Sequence, residues 1–182
     1  MGYSGANPIS DRRSVEELTD AGSILLNNGR FEEALALFEL AIRRDAQNVR
    51  ARLGAGSALV RIGEVEKALA HVEQALHIAP RELKVLAVSG HCLQQLGRVD
   101  EARKTFEYAL AIDPQDRVIL YDFACFWAVA GDEDRCRDYL TKAAAVVEPH
   151  TLEHMHRDPD LAVFANCPWF KDLQNNPPKP HL

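Results

Sequence analysis

His150, His154 and His156 come nearest to a ligand set in this chain. His150 and His154 are four residues apart, so on a helix they would face one way at the spacing of a zinc-binding pair. No glutamate stands beside them as in a His-Glu-x-x-His site, and Pro149 disturbs the start of any helix there. A surface cluster is therefore expected rather than a metal centre. Asp132-Glu133-Asp134 lacks the later ligands of a calcium loop and reads as an acidic first turn favoured by the helix macrodipole. Gly54-Ala55-Gly56 has neither a preceding strand nor a third glycine, so its small residues serve helix packing and not a dinucleotide. Cys92, Cys125, Cys136 and Cys167 are spaced 33, 11 and 31 apart. That spacing offers no Cys-x-x-Cys pair, hence no zinc ribbon and no thioredoxin-like couple, and predicts small buried side chains in a reducing compartment. Nothing positions a Cys–His nucleophile pair. The expectation is a chain without catalytic residues, cofactor or metal.

Those residues sit in a chain of 182 with 21 Lys+Arg against 27 Asp+Glu, a formal charge of −6. An acidic balance speaks against a general electrostatic grip on nucleic acid or anionic lipid. No apolar run approaches the roughly 20 residues that span a bilayer, so membrane insertion is not expected. Residues 1–10 lack the charged start and apolar core of a secretory signal, and Ala6 stands where a myristoylation motif needs Ser or Thr. A cytoplasmic location is expected.

The elements that carry these residues follow from internal repetition. Gly29, Gly63, Gly97 and Gly131 are each 34 residues apart. With 10 glycines in 182 residues, three further matches at one lag arise by chance about twice in 10,000. Seven residues earlier stand Gly22, Gly56, Gly90 and Ala124; five later stand Ala34, Ala68, Ala102 and Cys136; twelve later stand Ala41, Ala75, Ala109 and Ala143. Pro80 and Pro114 mark two repeat ends. Each repeat reads as two helices about its glycine. In the third, Val85, Leu86, Ser89, Leu93 and Leu96 recur at helical steps before Gly97, and Val99, Ala102, Phe106, Ala109 and Leu110 after it. The glycine tolerates a positive φ at the turn. The small columns let antiparallel helices approach, with Leu25, Leu59, Leu93 and Trp127 filling the layer beside them.

Ser14 and Glu17 form a capping box that starts the first helix, behind a flexible tail over 1–13. Past the last repeat, Asp158-Pro159 predicts an N-cap with proline at the first helical position. Leu161, Phe164, Trp169, Phe170 and Leu173 then supply apolar surface that is expected to cover the repeat end, docking of a partner by Trp169 and Phe170 being the rival reading. Residues 174–182 read as a polar, proline-rich disordered tail.

The columns resemble the tetratricopeptide repeat family. Gly29-Arg-Phe-Glu-Glu-Ala34, Gly63-Glu-Val-Glu-Lys-Ala68 and Gly97-Arg-Val-Asp-Glu-Ala102 match its inter-helix turn, while Gly131-Asp-Glu-Asp-Arg-Cys136 departs from it and Ala46 replaces the terminal proline of the first repeat. The resemblance implies an all-α, right-handed α-solenoid of antiparallel helix pairs. Its repeats are expected at 15–48, 49–82, 83–116 and 117–150, with capping helices over 151–173. It implies a concave groove lined by first helices. Thr19, Asp20, Ser23 and Asn27 come from repeat 1, and Arg50, Leu53, Gly54, Ser57 and Arg61 from repeat 2. Lys84, Val88, His91 and Gln95 come from repeat 3, and Tyr121, Asp122 and Cys125 from repeat 4. The two-carboxylate clamp of co-chaperones that hold acidic tails would need Lys and Asn, then Asn, then Lys and Arg. Thr19, Ser23, Gly54 and Val88 replace all of these but Lys84. The function implied is a non-catalytic adaptor or scaffold that binds a protein or peptide with acidic and apolar residues. A dedicated chaperone of a secreted client, like those of type III secretion, and a self-assembling structural protein are the alternatives.

Overall fold

The computed structural model describes residues 12–146, 157–176 and 178. Most of the expected N-terminal tail, the cluster of His150, His154 and His156, and most of the C-terminal tail lie outside the described residues. Within them the chain is helical, with no strand. The helices are α1 (Val15–Asn27), α2 (Phe31–Arg44), α3 (Val49–Ile62), α4 (Val65–Ile78), α5 (Leu83–Gln95), α6 (Val99–Ile112), α7 (Arg117–Val129) and α8 (Glu133–Ala145). A 3-10 helix (Pro159–Phe164) and α9 (Pro168–Asn175) follow. The fold is of the all-α helical-repeat class and divides into two compact units, one ending at Cys92 and one beginning at Leu93.

The helix ends are built by the chemistry that the sequence predicts. Ser14 Oγ accepts from Glu17 N at 3.1 Å, and Glu17 Oε2 accepts from Ser14 N at 2.6 Å, which closes the capping box. The four glycines at the 34-residue period take φ of 76°, 92°, 72° and 78°. At Gly63 the turn is a Schellman motif: Glu64 N donates to Leu59 O at 2.9 Å and Gly63 N to Val60 O at 3.1 Å. The same pair of bonds recurs at the other three glycines. Asn48 and Asp116 cap α3 and α7 with their side chains.

In the first unit, α1 and α3 straddle the Phe38 ring of α2. A Cβ on Gly22 would lie 2.8 Å from that ring, and one on Gly54 would run into it. These two glycines are therefore a socket for a fully buried phenylalanine. Gly56 has its own reason, since a Cβ there would meet Val72 at 2.8 Å. Both alanine columns are buried wherever they fall, from Ala34 and Ala41 to Cys136 and Ala143. The beginning of α5 joins this unit through Val85, which packs with Val72, Ala75, Leu53 and Val88.

In the second unit the core is aromatic. Phe123 lies 5.3 Å from Phe106, 5.6 Å from Phe126, 5.5 Å from Trp127 and 4.6 Å from Tyr139, centroid to centroid. Helix α7 buries Ile119, Leu120, Phe123, Ala124, Cys125, Phe126, Trp127 and Ala128, and it meets α6, α8 and the 3-10 helix. Asp158 caps the 3-10 helix by accepting from Asp160 N at 3.0 Å, with Pro159 at its first position. Leu161, Phe164, Phe170 and Leu173 are buried, whereas Trp169 is half-buried and donates to Glu133 at 2.6 Å.

Candidate functional site

The expected peptide-binding residues of the first unit lie on its first helices, α1, α3 and the start of α5. Arg50 is exposed and reaches from α3 to Asp20 of α1, with Nη2 2.5 Å from Oδ1. Asn27 and Lys84 are exposed, and Ser57, Leu53, Val88 and His91 are half-buried. Leu53 and Val88 belong to one apolar contact group with Val72, Ala75 and Val85, so the face is partly lined by the flank of the core. Arg61 is exposed but turned toward α2, its guanidinium 4.5 Å from the Phe31 ring centroid. Thr19 is buried, and its hydroxyl donates to carbonyls of its own helix, 3.0 Å to Val15 and 2.8 Å to Glu16. Gly54 is covered by Phe38 on its core side. The exposed cations among these positions are thus Arg50, Lys84 and Arg61, and Asp20 is the exposed carboxylate paired with Arg50.

In the second unit Gln95 is exposed at the end of α5. Tyr121 and Asp122 on α7 are half-buried, and the segment leading into the 3-10 helix lies against them. The Tyr121 hydroxyl donates to Asp158 Oδ2 at 2.8 Å, and the Cys125 thiol lies 3.9 Å from the same oxygen. Burial is the largest of the causes that push both groups' pKa values upward, followed for the thiol by the charge of Asp158. Asp122 is raised to about 7, first by burial and then by the charges of Asp116 and Asp158. Cys125, Asp158 and Asp160 bring ligand atoms within 4.8 Å of one another. Asp158 already accepts from Tyr121 and from Asp160 N, and the thiol is held protonated, so this trio is bonded as a structural clasp. Sequence reasoning missed it, because nothing in a 34-residue period announces a contact between α7 and a segment beyond the last repeat.

A second feature is a cavity of about 440 Å³ bounded by Arg103 and Glu107 of α6, Phe123 and Trp127 of α7, and Arg135, Asp138 and Tyr139 of α8. None of these residues was among the expected binding positions. The cysteines are free; Cys92, Cys125 and Cys136 are buried, while Cys167 is only half-buried, short of the burial expected of it. Asp132 caps α8 by accepting from Arg135 N at 3.0 Å, so the acidic triplet opens a helix. No helix of the described residues is long and apolar enough to cross a membrane.

Two family models described as tetratricopeptide repeat match residues 19–82 and 63–119. Among solved structures, the crystal structure of MamA is 21% identical with a TM-score of 0.63, over 74% of this chain and 79% of that one. MamA 41-end from Desulfovibrio magneticus RS-1 is 18% identical with a TM-score of 0.62, over 72% and 75%. The second TPR domain of human RPAP3, solved in complex with the HSP70 peptide SGPTIEEVD, is 22% identical with a TM-score of 0.58, over 62% of this chain and 93% of that one. At these identities the likeness establishes the fold. No curated protein matches the sequence.

Proposed function

The chain belongs to the tetratricopeptide repeat family, and from that premise we propose that it is a non-catalytic adaptor that receives a peptide segment of another protein on the first-helix face of its N-terminal unit. Repeats of this family are in general protein-interaction modules without catalysis. The observation that carries the reading is the Arg50–Asp20 pair: an exposed guanidinium on α3 already holds a carboxylate presented by its neighbour helix. A partner's Asp or Glu is the same chemistry arriving from outside, and arginine takes it bidentately. Lys84 adds a second cation on the next first helix, and Leu53 and Val88 accept an apolar side chain beside it. The preferred segment is therefore acidic with adjoining apolar residues. The HSP70 peptide held by the RPAP3 domain has that mixture, with Ile, Val, two Glu and Asp. The two-carboxylate clamp of acidic-tail co-chaperones is not the mode in this reading, since only Lys84 of it is retained. The protein acts in the cytoplasm in this reading.

Peptide display on the folded chain, with Arg50→Glu/Lys84→Glu as counter-screen, tests the assignment. Acidic–apolar sequences enriched by the native chain and lost by the variant support it. The same sequences enriched by both would move the interface elsewhere.

A further inference from the structure

Tyr121, Asp122 and Cys125, three of the binding positions expected on the fourth first helix, lie on α7 against the segment that forms the 3-10 helix. The grip of that segment is mostly apolar, since Leu161 is fully buried and Phe164 nearly so. Its polar attachment to α7 runs through one carboxylate. Asp158 Oδ2 accepts from the Tyr121 hydroxyl at 2.8 Å, and the Cys125 thiol lies 3.9 Å from the same oxygen.

This attachment sets acid against acid. Asp122 follows Tyr121 and stands one turn before Cys125, so it belongs to the side of α7 that meets Asp158. Burial acts on its carboxyl first, and then the charges of Asp116, at the start of α7, and of Asp158, on the segment. The charges acting on Cys125 are Asp158, Asp160 and Asp122. Among the described residues no cation acts on either group. Arg103 and Glu107 of α6 and Arg135 and Asp138 of α8 gather instead beside Phe123 and Trp127. The end of α5 in this unit, Leu93–Gln95, has no titratable group, and Arg117 and Arg157, next in sequence to Asp116 and Asp158, are exposed. Two carboxyls brought together away from water tolerate one charge far better than two.

We propose that residues 157–164 form a proton-held strap over the fourth first helix. While Asp122 is protonated the strap lies down with little repulsion. Once Asp122 gives its proton to solvent, it and Asp158 repel across the contact and the strap opens more often, which bares Tyr121, Asp122 and Cys125. Leu161 and Phe164 keep the docked form in the majority in either charge state. The device therefore sets how often this face is open to a partner and leaves the helices in place. It does not depend on the face that carries Arg50.

The docked form holds a proton that the open form releases, so opening rises with pH until Asp122 titrates in the docked form, at about 7, and levels off above. Hydrogen exchange of the full chain, read by mass spectrometry from about pH 5 to 8 and corrected for the intrinsic pH dependence of amide exchange, measures it. The amides of Asp160, Leu161 and Ala165 are bonded within the segment and report its opening. The open fraction should climb by up to about tenfold per pH unit to about pH 7 and then level, with α7 and α8 still protected. Asp122→Asn should lose the climb. Asp158→Asn, which keeps an oxygen for the Tyr121 hydroxyl, should end the climb at lower pH. Tyr121→Phe should raise the open fraction severalfold at every pH and keep the climb. A flat native profile would overturn the proposal, as would the native climb in Asp122→Asn or an unmoved profile in Asp158→Asn. A climb shared equally by the amides of α7 and α8 would overturn it too, because the whole unit would then be opening.

Discussion

Arg50 of α3 holds Asp20 of α1 through a 2.5 Å contact on a surface where both side chains are more than half exposed. The pair contributes little to stability, about 0–1 kcal/mol, because water screens it and the long arginine side chain must be ordered. Its importance is competitive. An incoming carboxylate must displace Asp20 before it can use the guanidinium. Asp20→Asn is therefore expected to leave thermal unfolding nearly unchanged and to tighten binding of an acidic peptide severalfold. Calorimetric titration of both proteins with one display-selected peptide checks this, and weaker binding by Asp20→Asn would place Asp20 among the groups that contact the peptide.

Gly54 sits on the same helix one turn beyond Arg50, and its reason for being glycine is the Phe38 ring. Alanine has the higher helix propensity, worth about 1 kcal/mol. Gly54→Ala should nevertheless destabilise the chain, because the Cβ forces a fully buried ring to move, at about 1–3 kcal/mol. Urea denaturation measures the difference. Adding Phe38→Leu to Gly54→Ala should cost less than the sum of the two changes, since one relieves the other.

Asp122 gives the second unit a pH dependence with a definite sign. Its carboxyl titrates at about 7 in the folded chain and at the ordinary 3.8 when unfolded. Between those values the folded state keeps a proton that the unfolded state has lost, so stability falls as pH rises. The fall is about 1.4 kcal/mol per pH unit at its steepest and ends above roughly pH 7. Asp122→Asn should flatten this part of the profile and gain stability at pH 8. An unchanged profile in the variant would assign the effect to other groups.

The thiols predict a selective reaction. Thiolate is the reactive form, and burial pushes Cys92 to about 11 and Cys136 to about 12, and Cys125 further still. Cys167, half-buried ahead of α9, is the accessible one. Iodoacetamide should modify one cysteine of the folded chain, at Cys167, and all four in denaturant. Mass spectrometry of tryptic peptides reads the outcome; fast modification of Cys125 would mean that the clasp around Asp158 opens readily.

The repeat architecture was legible because it is local. A glycine every 34 residues, an alanine at each close helix contact and a Ser–Glu capping box each act within one turn or one helix pair, and the structure bears them out. Asp20 and Arg50 could both be placed on one face, but their pairing could not, since a charge on a helix surface reads the same whether solvated or bonded. The clasp of Tyr121, Cys125 and Asp158 joins residues 33 and 37 apart, across the end of the periodic pattern. The aromatic cavity is assembled from three helices, and Arg103, Glu107, Arg135 and Asp138 look in sequence like ordinary exposed charges.

The central claim is that a partner's acidic segment binds on the face that carries Arg50 and Lys84. Its most direct test is fluorescence anisotropy of the best acidic–apolar display peptide, with native chain and Arg50→Glu/Lys84→Glu compared at equal helicity by circular dichroism. Two reversed charges should weaken binding by at least about tenfold and flatten its salt dependence. Equal affinity of the two proteins, with the fold intact, would contradict the account.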